Sequence, residues 1–193
     1  MRMKTKRRNK QRGMTLIELM IAMTVLTVGL LALMGLFSVA IASNNRNKLD
    51  TGGTFAAQAV LETIAAQPAG TDVSMTDCAG NPITVKTASP AVGSSPIYVG
   101  ANILSDGTGR IDFQGQAASA VTTGYKTLYV GCGPAGKQVT YDVRWRIQTL
   151  SAYSKLITVG VAQTNAVAAL GTANQAKYFN PPVTLRTISA TGN

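Results

Sequence analysis

The sequence predicts an α+β fold: a long N-terminal helix, apolar in its first half and amphipathic in its second, packed on an antiparallel β-sheet. Three observations lead there. Residues 19–42 are almost wholly apolar and carry no charge. Beyond them Phe55, Ala56, Ala59, Val60 and Ile64 recur at three- and four-residue steps, the period of a helix that buries one stripe. From residue 70 onward, Gly, Pro, Ser and Thr punctuate short runs of β-type residues, the texture of antiparallel strands joined by turns. A helix stripe and one sheet face can bury each other.

Taken in order, residues 1–13 form a basic leader. Arg2, Lys4, Lys6, Arg7, Arg8, Lys10 and Arg12 precede Gly13 with no acid among them. Residues 14–43 form a transmembrane helix. The 24 residues of 19–42 would extend about 36 Å as a helix, enough to cross a hydrocarbon layer of roughly 30 Å. Cations are dense before this span and sparse after it, with Arg46 and Lys48 following, so the N-terminus is expected in the cytoplasm and the bulk exported. Residues 44–68 continue the helix as an amphipathic segment. Gly52-Gly53 is expected to weaken or bend it, at about 1 kcal/mol per glycine relative to alanine. Pro68-Ala69-Gly70 ends it.

Residues 69–193 form a β-rich exported domain. Strands are expected at 83–86, 97–99, 110–113, 125–130, 139–150, 155–163 and 183–189, with long loops over 87–124. In the 139–150 run, Val139, Tyr141, Val143, Trp145 and Ile147 share one face; Thr140, Asp142, Arg144, Arg146 and Gln148 share the other and are expected in solvent. A turn over 151–154 makes this run and 155–163 a hairpin, with Ile157, Val159 and Val161 on one face and Lys155 set opposite the arginines. Asn180-Pro181-Pro182 closes a loop.

Composition narrows the chemistry. The 193 residues contain no histidine and two cysteines, so Ser-His-Asp and Cys-His catalysis and zinc sites of the Cys₄ or Cys₃His type are excluded. Asp72, Asp77, Asp106, Asp112 and Asp142 are scattered singly and read as turn-formers or solvated residues. Asp106-Gly107-Thr108-Gly109 is a turn without calcium-loop spacing, and Asn174 and Asn180 are ordinary loop residues. No enzyme activity, metal or cofactor is expected. The formal charge of +10 rests on 18 Lys+Arg against 8 Asp+Glu. Removal of the seven leader cations leaves eleven against eight, a net of +3. Arg144 and Arg146 have no aromatic residue on their own strand face and share it with Asp142, so nucleic-acid binding is not expected.

The junction at Gly13, Thr15, Leu16, Ile17, Glu18, Leu19, Met20 and Ile21 resembles the prepilin signature of type IV pilins and type II secretion pseudopilins. Gly29-Leu30-Leu31, Gly35-Leu36, the strand with Tyr141 and Trp145, and the strand from Lys155 to Val161 are similar to the PilV class of minor pilins. The resemblance implies cleavage by a prepilin peptidase between Gly13 and Met14, then N-methylation of Met14, where the family usually has Phe. It implies that Glu18 pairs with the α-ammonium group of a neighbouring subunit during assembly. It also implies major and minor pilins and an inner-membrane assembly platform as partners, with the chain in the inner membrane first and in the pilus at the cell surface afterwards. Many major pilins have proline at the position of Gly35; this chain does not. A type II secretion minor pseudopilin shares the same helix, and a surface-binding module, an adhesin or DNA-uptake pilin acting through the 87–124 loops, is the alternative of another class.

Two other N-termini compete. Ala40-Ile41-Ala42 before Ser43 imitates a signal-peptidase site, but the apolar stretch exceeds the usual 7–15 residues. A plain single-span anchor leaves the Gly13–Glu18 run unexplained. In an oxidising compartment Cys78 and Cys132 are expected to form a disulfide, closing a loop of roughly 55 residues worth about 4 kcal/mol at most.

Overall fold

The computed structural model describes residues 15–68, 70–132, 138–164 and 182–190. The elements are α1 (Leu16–Ala65), β1 (Val73–Thr76), β2 (Pro82–Val85), β3 (Tyr98–Gly100), β4 (Lys126–Cys132), β5 (Gln138–Ser151), β6 (Ser154–Gln163) and β7 (Val183–Ala190), with a 3₁₀ turn at Ala118–Ala120. The fold is therefore a long N-terminal helix and antiparallel sheets, α+β and pilin-like. Two compact units divide it, the first ending at Asn45 and the second beginning at Arg46.

In the second unit the main sheet runs β3-β5-β6-β7, and β4 also pairs with β5. β5 is long enough to take two partners on one edge: β4 along 138–144 and β3 along 146–148. The β5–β6 hairpin turns at Ala152-Tyr153, where the Ser151 and Ser154 hydroxyls lie 2.7 Å apart. A separate β1–β2 ribbon follows the helix. β1 had no counterpart in the sequence reading, because Val73-Ser74-Met75-Thr76 is too short to show a period. The strand expected over 110–113 reduces to one bridge, Ile103 to Ile111.

The core lies between the helix and the odd-numbered face of β5. Val143, Trp145, Ile147, Ile157, Val159 and Val161 pack with Ala56, Ala57, Val60 and Ile64. Buried Trp145 is satisfied, since its indole N–H donates to the Lys86 carbonyl at 3.0 Å. The helix stripe differs from the expected one. Phe55 is 65% exposed, and Gly53, Ala56 and Ala57 take the buried positions. The reason is a close approach by Tyr141. Its hydroxyl donates to the Leu49 carbonyl at 3.2 Å, and a Cβ on Gly52 would collide with that hydroxyl. Gly52-Gly53 thus makes room for the ring, and α1 continues unbroken through it.

The end of α1 carries no basic residue in its last turn, yet its free carbonyls are capped from the sheet. Ser189 on β7 donates to the Ala65 carbonyl at 3.0 Å, and Lys155 on β6 donates to the Gln67 carbonyl at 3.2 Å. Lys155 is fully buried. It pairs with Thr149 in the ladder and so lies on the helix face, away from Arg144 and Arg146. This corrects the sequence expectation: the negative end of the helix dipole recruits the cation.

Burial lowers the pKa of Lys155 from its ordinary 10.5. On raising the pH toward that value, the folded state releases this proton while the unfolded state keeps it, so Lys155 makes stability rise with pH there. Urea unfolding at pH 7 to 10 should show the gap between wild type and Lys155→Met moving in favour of wild type as pH rises. A gap constant with pH would contradict the buried ammonium.

Candidate functional site: the apolar segment of the first helix

Among the described residues, the first unit is the stretch of α1 that ends at Asn45. Its large side chains are exposed throughout, from Leu16 at 77% to Ile41 at 62%. Apolar surface of that extent marks a segment that meets lipid or other helices. The helix is also long and apolar enough to cross a membrane. The three hydroxyls of 19–42 are internally satisfied: Thr24 donates to the Ile21 carbonyl, Thr27 to Met23, and Ser38 to Met34. Such bonds to the preceding turn let hydroxyls enter an apolar medium without an orphaned donor. Gly29 and Gly35 lie inside the unbroken helix, and a Cβ at either would meet open space. Neither is required by contacts among the described residues.

Glu18 sits in the first turn. Its backbone N–H donates to the Thr15 hydroxyl at 3.4 Å, which makes Thr15 an N-cap and places Glu18 three residues on, the capping-box spacing. A carboxylate there also complements the positive end of the helix dipole. The sequence reading missed this role for Thr15, although Thr-x-x-Glu ahead of an apolar run signals it. Gly13 and Met14 lie outside the described residues.

With that geometry in view, residues 8–34 match the family model for the prokaryotic N-terminal methylation motif. The match supports a type IV pilin-like prepilin. The motif implies processing by a prepilin peptidase and assembly with other pilins, and together with the apolar helix it points to membrane anchoring. No curated protein and no solved structure matches the chain.

The remaining candidates belong to the second unit. Cys78 and Cys132 are joined as a disulfide, with Cα atoms 5.5 Å apart. Asp77 prepares this join. Its carboxylate accepts the backbone N–H groups of Ala79, Asn81 and Val130 and the Asn81 side-chain amide, while the Cys78 N–H donates to the Val130 carbonyl at 3.1 Å. Burial opposes its ionisation, but these bonds outweigh burial and hold its pKa below the usual carboxylate value. Asp106 caps its expected turn. Bonds from the Thr108 hydroxyl and N–H, aided by Arg110, lower its pKa to about 2. Asp112 accepts the N–H groups of Gln114 and Gly115 as a further turn-former. Asp72 and Asp142 stand apart from these, Asp142 on β5. No group of three or more metal-ligating side chains occurs among the described residues. Asn174 and Asn180 fall outside them.

The expected solvated face of β5 needs correction. Arg144 is 4% exposed. It holds the Asp142 carboxylate through Nη2 at 2.7 Å and Nε at 3.0 Å, reaches the carbonyls of Gln116 and Asp112, and stacks 4.7 Å from the Phe113 ring centroid. Part of the loop expected at 87–124 is packed onto this face through Asp112, Phe113 and Gln116, and Ile111, Gln116 and Val121 are buried. Alternation showed which residues share a face but could not show that irregular chain would cover it.

Cys78→Ser should lower the stability of the second unit by about 2–4 kcal/mol, measured by urea unfolding under oxidising conditions. Cys132→Ser should match it, and the double variant should cost no more than either single change.

Proposed function

We propose that this chain is a minor type IV pilin of the PilV class, with a structural rather than catalytic role. It is held in the inner membrane with its N-terminus in the cytoplasm, cut after Gly13, N-methylated at Met14, and built into a pilus or used to prime one. The observation that carries this reading is the exposed apolar helix 16–41 placed directly within and after the methylation motif at 8–34. A plain anchor would account for the helix but not for the motif. The apolar surface moves from lipid to the helices of neighbouring subunits, so the same side chains serve both states.

In this reading Glu18 pairs with the α-ammonium of Met14 in an adjacent subunit. A carboxylate left unpaired in a helix-packed core is costly, so the pair selects the register of the incoming subunit. The capping role of Glu18 is separable from this one, because Gln also serves at the third position of a capping box.

Mass spectrometry of sheared surface filaments should return a mature N-terminus at N-methylated Met14. An N-terminus at Ser43 or Met1 would identify a signal peptide or a plain anchor instead. Deletion of the gene should abolish or reduce piliation; loss of protein secretion with normal pili would indicate a pseudopilin. Glu18→Gln and Glu18→Ala should both be inserted and processed yet fail to enter filaments. Normal incorporation of Glu18→Gln would overturn the charge pair.

A further inference from the structure

Two arginines on one strand face have opposite fates. Arg144 is neutralised and fully bonded, as described above. Arg146, two residues on, makes no hydrogen bond through its guanidinium among the described residues. Its guanidinium lies 3.5 Å from the Tyr98 ring centroid, and its Nε is buried without a partner. The ladder places Arg146 opposite Thr158 and Thr158 opposite Arg186. The two arginines therefore stand in one row across three strands, with Cα atoms about 10 Å apart at the usual strand spacing. Arg186 reaches back over Thr158, with Nε 3.4 Å from the hydroxyl oxygen.

No acidic side chain neutralises this pair. The eight acids of the sequence are Glu18, Asp50, Glu62, Asp72, Asp77, Asp106, Asp112 and Asp142, and all lie among the described residues. The ion pairs there are Arg110 with Asp106 and Arg144 with Asp142. Arg146 instead feels Arg186 as a like charge; burial, then that repulsion, lowers its pKa, with the Tyr98 phenol acting the other way. A second orphan lies beside the row. Thr184, two residues before Arg186 on the same face, has a buried hydroxyl with no partner. Gly109, at φ +67°, lies directly against the Arg186 guanidinium, where a Cβ would collide with it.

We propose that Arg146, Thr158 and Arg186 form a binding site for a phosphate-type oxyanion, supplied as free phosphate or as the phosphodiester of a headgroup. Two guanidinium forks offer charge-assisted donors to a tetrahedral anion, and the anion relieves the repulsion that the chain leaves uncompensated. The site is independent of the filament reading, since it uses no residue of the first helix.

The test uses the full chain in nonionic detergent, followed by the arginine Nε–H signals in nitrogen-correlated NMR at constant ionic strength. Inorganic phosphate and a glycerophosphodiester are titrated separately, which distinguishes the two sources. Saturable shifts of Arg146 and Arg186 with either are expected. Arg186→Gln should weaken binding about tenfold or more, the effect of losing a charge-assisted bond. Arg146→Lys, which keeps the charge but loses the fork, should also weaken it. Gly109→Ala, which retains both arginines and displaces one guanidinium, should do the same. Lys48→Gln removes a distant charge and should leave binding unchanged. The proposal is overturned if no saturable shift occurs, if acetate shifts the signals and phosphate does not, or if Lys48→Gln weakens binding as much as Arg186→Gln.

Discussion

In the second unit the helix approaches β5 closely enough for the Tyr141 hydroxyl to reach the Leu49 carbonyl. That approach sets the other packing choices. It requires small residues along the contact, so Gly53, Ala56 and Ala57 are buried while Phe55 is turned outward. It brings Val60 and Ile64 onto Trp145 and the aliphatic residues of β6. Two glycines in a helix interior cost helical propensity, and the cost is offset by aromatic burial that a larger residue would prevent. The same ring borders the ends of the neighbouring strands, since Gly53 lies near Tyr141, Val161 and Val183 together.

The main architecture was legible because two strong periods carry it. Twenty-four uncharged residues and a following three-four spacing show a helix. The alternation from Val139 to Ile147 shows the central strand and its buried face, and four of those five residues are buried. What stayed hidden depends on distances that a linear pattern does not encode. Gly52-Gly53 reads as a weak point until Tyr141 is placed beside it. Lys155 reads as a surface cation until the helix end is placed over it. Arg144 reads as solvated until Asp112, Phe113 and Gln116 arrive from a segment without period. The methylation motif at 8–34 was legible, because charge, glycine, glutamate and apolar length are all sequence-local. Its capping geometry at Thr15 was equally local and went unread, because Glu18 already had another explanation.

Charge in this chain is placed with economy. Polar groups in the apolar helix bond to their own backbone. Asp77 organises the disulfide turn by accepting four donors. Arg144 carries its own carboxylate two residues away. Lys155 has no carboxylate and is stabilised by the carbonyl end of a helix. Against that pattern, the row from Arg146 to Arg186 stands out as charge without an internal answer.

The two ends of the docked helix segment are fastened by different means. Tyr141 holds it at Leu49, and Lys155 and Ser189 hold it at Gln67 and Ala65. In each case a side chain from the sheet grips a backbone carbonyl, so the attachment is made to the main chain, and at Tyr141 it depends on Gly52 leaving room for the ring. A tensile force drawn along this segment therefore meets anchorage at both extremities, and unzipping from either end must first break a partly buried hydrogen bond. The contact behaves mechanically as a splint riveted at two points rather than as a strip held by adhesion alone, and it resists peeling more than its apolar area would predict.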